Sequence, residues 1–116
     1  MPQQARAQQA EANLEETQAL ERLALGNATY EVEKAYADAL EAKGREEAWG
    51  RAEHVAKQWI STVQDGIDVG SSDERALLDP LRVYGNARVQ HLTALMDYNV
   101  TLSQLALASG WDAAAP

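Results

Sequence analysis

The chain is 116 residues long, enough for one domain, and it carries ten basic against eighteen acidic side chains for a net charge of −8. That balance argues against a nucleic-acid binder, which needs concentrated Lys and Arg to replace phosphate counterions. The absence of cysteine excludes disulfides and thiolate metal sites. Apolar residues reach 46%, but phenylalanine is missing and aromatics make up only 6%. Much of the apolar count is alanine, which buries little surface, so thin helix-on-helix contacts are expected rather than a thick core.

The start of the chain, Met1 to Arg6, lacks the apolar stretch of a secretory signal. No run approaches the roughly 18 apolar residues of a membrane-spanning helix. Taken by itself, the chain is expected to stay where it is made. Residues 1–27 read as a polar helical extension rich in Gln, Ala and Glu, with sparse contacts from Leu14, Leu20, Leu23 and Leu25. Gly26-Asn27 either interrupts or weakens this helix.

From about Ala28 to Asp65 a firmer stripe predicts the first arm of a hairpin. It comprises Val32, Tyr36 and Ala39, then, after a polar gap holding Lys43, Gly44, Glu46 and Glu47, the residues Ala52, Ala56, Trp59, Val63 and Ile67. Residues 66–72 are punctuation, with Gly66 and Gly70 suited to end a helix and Ser72 or Asp73 suited to cap the next. The second arm is expected over 73–109, with a heptad-like stripe of Leu77, Leu81, Tyr84, Arg88, His91, Leu95, Tyr98, Leu102 and Leu105. A neighbouring stripe of Leu78, Val89, Leu92, Met96 and Leu107 implies more than one helical neighbour. Pro80 either kinks this arm or, with Asp79, starts it. Gly110 closes it, and residues 111–116 form a tail.

The fold class expected is therefore all-α, a long antiparallel, coiled-coil-like helical hairpin with arms on the order of 55 Å. So long a pair has little buried surface of its own, and the rod is suited to packing side by side with others.

Chemistry is sparse along this rod. His54 and His91 are the only histidines, one on each arm, and read as surface or seam residues. Trp49, Trp59, Tyr84 and Tyr98 read as core or interface. No motif of a hydrolase, zinc protease or phosphate loop is present, so no catalytic residue is assigned and no enzyme is expected. Asp65, Asp68 and Asp73 near glycines invite comparison with a calcium loop, but Gly66 falls inside the run and the ligand spacing fails. No metal or cofactor is assigned.

The stretch from Trp59 to Gly110 resembles the C-terminal helical hairpin of TolC-family outer-membrane efflux proteins. Val69-Gly70-Ser71 looks like that family's Val-Gly-Thr-type tip. Leu77-Leu78 through Tyr84, Ala87 and Arg88 is similar to the segment that follows it. Asp97-Tyr98-Asn99, then Leu102, Leu105, Ala108 and Gly110, is similar to the family's closing segment, and Glu31 to Tyr36 to the entry of the preceding helix.

The resemblance implies a passive exit duct of a tripartite transport system: a trimer with membrane strands and a periplasmic α-barrel. The barrel's hairpin tips meet a periplasmic adaptor protein. It implies that Val69, Gly70 and Ser71 contact the adaptor, with Gly70 chosen so that no side chain separates two backbones. Asp65 and Asp68 would face a pore and favour cations. Localisation would be the outer membrane and periplasm. The chain holds one hairpin where the family has two, and shows no strands for a barrel, so it is expected to be a C-terminal fragment.

The alternative is a stand-alone soluble helical-hairpin interaction or scaffold protein. The adaptor's own hairpin fits less well, because its Arg-Leu pair before the bend is replaced here by Ser61-Thr62-Val63-Gln64.

Overall fold

The computed structural model describes residues 2–110, and the 111–116 tail expected from the sequence lies outside them. Helix α1 runs over Pro2–Asp68, a 3-10 turn over Glu74–Leu77, and helix α2 over Leu78–Ser109. No strand occurs among the described residues. The hairpin expected from the sequence is present, as a rod of 103 × 29 × 13 Å.

The arms are unequal. With 67 and 32 residues, α1 and α2 span about 100 and 48 Å at 1.5 Å per residue. α1 passes through Gly26-Asn27 and through the polar gap without a break. Residues 2–31 are exposed on every side, so α1 extends past the end of α2 as a single unpaired helix.

The seam between the arms is a heptad pattern on both helices. On α1 the covered positions are Val32, Ala35, Ala39, Ala42, Glu46, Trp49, Glu53, Ala56, Ile60, Val63 and Ile67, at alternating steps of three and four. On the second arm they are Leu77, at the end of the 3-10 turn, and Pro80, Tyr84, Ala87, His91, Ala94, Tyr98, Thr101, Leu105 and Ala108 of α2. The fully buried members are Ala39, Ala42, Ala56, Ala87, Ala94 and Pro80. Small side chains let the two backbones approach, and the bulkier seam residues, such as Trp49, Tyr84 and Tyr98, are half-covered.

That geometry corrects the stripe expected on each arm. Tyr36 and Trp59 on α1, and Leu81, Leu95 and Leu102 on α2, are exposed rather than in the seam. The polar gap also closes, because Ala42, Glu46, Trp49 and Glu53 carry the seam through it. Val32, Ala39, Ala56, Val63 and Ile67 on the first arm, and Leu77, Tyr84, His91, Tyr98 and Leu105 on the second, do lie in the seam as expected; the alternate positions of the second arm go to Pro80, Ala87 and Ala94, because close contact there favours small side chains.

Pro80 neither kinks nor breaks the second arm. It occupies the third position of α2, in the first turn, where its missing N–H has no intrahelical carbonyl to meet. No described helix is long and apolar enough to cross a membrane.

Because Ala42 is fully buried between the arms, Ala42→Leu overpacks the seam. It is expected to lower stability by about 1–3 kcal/mol, read by urea denaturation followed by circular dichroism.

Candidate functional site at the hairpin tip and in the seam

The tip is built by the end of α1. Gly70 has φ of 80°, in the left-handed region, and its N–H donates to the Ile67 carbonyl at 3.0 Å. The Ser71 N–H donates to the Gly66 carbonyl at 2.9 Å. Those two bonds form a Schellman cap with Gly70 as the left-handed residue. The Ser71 hydroxyl and the Ser72 N–H converge on the same Gly66 carbonyl at 3.1 and 3.2 Å.

Within this chain a Cβ at Gly70 would meet nothing within 4 Å, so no close contact of the hairpin's own requires glycine there. Its positive φ is the reason. Crowding applies instead at Gly66, where a Cβ would lie 3.0 Å from the Ser72 hydroxyl. The expected capping by Ser72 or Asp73 also differs: Asp73 precedes the 3-10 turn in extended conformation but makes no side-chain cap bond, and its carbonyl accepts from Ala76.

Val69, Gly70 and Ser71 all lie exposed at the extreme of the rod, with Val69 at 79% exposure. Asp65 and Asp68 are exposed on the last turns of α1, and Asp68 accepts a bond from Gln64 at 3.1 Å. Asp73 and Glu74 follow with Arg75 beside them, and Asp79 stands 4.0 Å from Arg82, so acidic side chains outnumber basic ones around the tip. Among the described residues no group of three or more His, Cys, Asp or Glu side chains is placed to hold a metal ion.

A second polar site lies halfway along the seam, and the sequence reading did not assemble it. His91 sits between two glutamates of α1, with Nε2 2.8 Å from Glu46 and Nδ1 2.5 Å from Glu53. Arg88 reaches the other Glu53 oxygen at 2.8 Å. Gly50 faces the imidazole; a Cβ there would stand 3.3 Å from Nε2. The bond that His91 donates to Glu46, then that to Glu53, holds its imidazole above its ordinary value. Hydrogen bonding from His91, then from Arg88, holds the Glu53 carboxyl below its own. A further bridge ties Arg45 of α1 to Asp97 of α2 at 3.4 Å.

The signal that would have found the cluster is the alanine phase. Counting heptads through Ala39, Ala42 and Ala56 puts Glu46 and Glu53 in the seam. Folding the chain about Gly70 then sets Gly50 opposite His91. His54 is not part of the cluster; it is exposed and pairs with Gln58 on its own helix.

The flanks carry the remaining apolar surface. On α2, Leu78, Leu81, Leu92, Leu95 and Leu102 repeat at heptad spacings beside the seam, all exposed. Val89, Met96 and Leu107 are exposed as well. On the opposite flank of α1, Val55 and Trp59 are exposed next to Ala48 and Ala52.

No family description, no curated protein and no solved structure matches this chain.

The left-handed turn sets one expectation. Gly70→Ala should cost about 1–2 kcal/mol of stability. Gly85→Ala, in α2 with open space around it, should instead gain up to about 1 kcal/mol from helix propensity. Equal effects from the two substitutions in urea denaturation would refute the assigned role of the turn.

Proposed function

We propose that this chain is a wall segment of a TolC-like outer-membrane efflux or secretion channel, the passive exit duct of a tripartite transport system. The observation that carries this reading is the second heptad face of α2. Leu78, Leu81, Leu92, Leu95 and Leu102 fall on one heptad face, with Gly85, Arg88 and Asn99 at its intervening positions, and are not covered by α1. A helix with two apolar faces side by side has places for two neighbours, which is what a ring of helices requires.

The tip supports the same reading. The segment resembling the family's tip, Val69-Gly70-Ser71, coincides with the reversal and is solvent-exposed at the end of the rod, where an adaptor hairpin can meet it. The segment resembling the family's ending closes on Gly110, a left-handed helix cap with φ of 74°. Asp65 and Asp68 lie beside the tip and would contribute to a cation-favouring mouth in the assembled trimer. In this role the chain needs no catalytic group. Its place is the periplasmic part of an outer-membrane assembly.

Two measurements test this proposal. In analytical ultracentrifugation the chain should self-associate, and the double substitution Leu92→Glu with Leu95→Glu should reduce the association constant at least about tenfold, roughly 1.4 kcal/mol, with helicity retained. In fluorescence anisotropy, the helical hairpin of a periplasmic adaptor should bind the chain, and Val69→Glu should weaken that binding by a similar factor. Self-association without any adaptor binding would favour a stand-alone helical scaffold and overturn the duct reading.

A further inference from the structure

Polar residues at a coiled-coil seam cost stability unless they are matched, and they are matched only in one register. The cluster around His91 is such a match. Both ring nitrogens face carboxylate oxygens, at 2.8 Å to Glu46 and 2.5 Å to Glu53. A carboxylate only accepts, so both nitrogens must donate, and only the imidazolium carries two N–H groups. A neutral ring satisfies one glutamate and turns a lone pair toward the other.

Charge balance says the same. With His91 protonated, Glu46 and Glu53 are offset by Arg88 and His91. Once the proton leaves, one negative charge is unmatched in a half-covered seam. Glu47, Arg51 and His54 border the groove beside the ring, but none of them bonds to His91 or to either glutamate among the described contacts. Gly50 leaves the space the ring occupies.

The cluster also reads register. Sliding α2 by one heptad in either direction replaces one of the two glutamates by Ala39 or by Ile60, the seam residues one heptad beyond Glu46 and Glu53. The alanines of the seam discriminate far less, since alanines recur along both helices.

We infer that Glu46, His91, Glu53 and Arg88 form a pH-sensitive latch that fixes the register of the hairpin at mid-length while His91 is protonated and loosens when it is not. The inference concerns the hairpin itself and holds whether or not the chain belongs to an efflux duct. Direction follows from linkage. The raised His91 contributes stability that is fully present below its ordinary value of 6.5 and is lost as pH rises through the folded value. The lowered Glu53 contributes stability that is present above its ordinary value of 4.5 and is lost as pH falls through the folded value. The latch is therefore fully set between those two ordinary values and opens on the alkaline side first under near-neutral conditions.

The test uses the full chain carrying His54→Gln, which leaves His91 as the single histidine. In NMR titrations the His91 ring should lose its proton at a higher pH in the folded chain than in the same chain unfolded in urea. Thermal unfolding should shift several degrees lower between pH 6 and pH 8.5. That shift should vanish in the further variant His91→Gln. Amide exchange, corrected for its intrinsic pH dependence, should quicken across residues 46–53 and 87–94 over the same range while the tip stays unchanged. Equal His91 midpoints in the folded and unfolded chain overturn the latch, and so does a pH-dependent melting that survives His91→Gln. If His91→Gln does not fold, the comparison of folded and unfolded midpoints in the His54→Gln chain decides alone.

Discussion

The structure depends on how closely two helix backbones approach along one heptad seam. Five of the six residues fully buried there are alanines, Pro80 being the sixth, and the rest of the seam is half-covered. Small side chains at the closest layers permit the approach, and most leucines of α2 stand to the side of it. A thin rod and apolar flanks are thus two results of one constraint. A pair of helices held by alanine hides little apolar area, and the leucines it displaces remain available to a third helix.

Gly70 sets where the seam folds back on itself. Its left-handed backbone lets the Gly66 and Ile67 carbonyls be capped within the turn, so α1 ends without help from another element. Residues equidistant from that point then meet across the hairpin. In this way a local backbone requirement at the tip selects the partners of Glu46 and Glu53, some twenty residues distant. The polar cluster and the turn specify the same register from two ends, one by backbone geometry and the other by charge.

The two ends of the rod differ in kind. At the tip, acidic side chains lie exposed around a tight, well-capped reversal. At the other end, α1 continues alone for about thirty residues with every side chain exposed. A helix that long has no tertiary packing of its own there, and short-range propensity is its sole support within the chain. Both the lone extension and the leucine flank of α2 are surfaces that a side-by-side assembly of helices would cover, and this links the fold to the proposed duct.

The helical class, the two arms and the bend near Gly70 were legible in the sequence, because propensity, apolar periodicity and glycine punctuation act over a few residues. Which face of each helix is buried was decided only in the tertiary structure. Leu81, Leu95 and Leu102 had the stronger apolar signal, yet Pro80, Ala87 and Ala94 occupy the seam, since close packing selects for size and not for hydrophobicity alone. The Glu46–His91–Glu53 cluster belongs to that same level: its members stand up to forty-five residues apart, and only the register imposed by the turn and the alanine seam brings their opposite charges into contact.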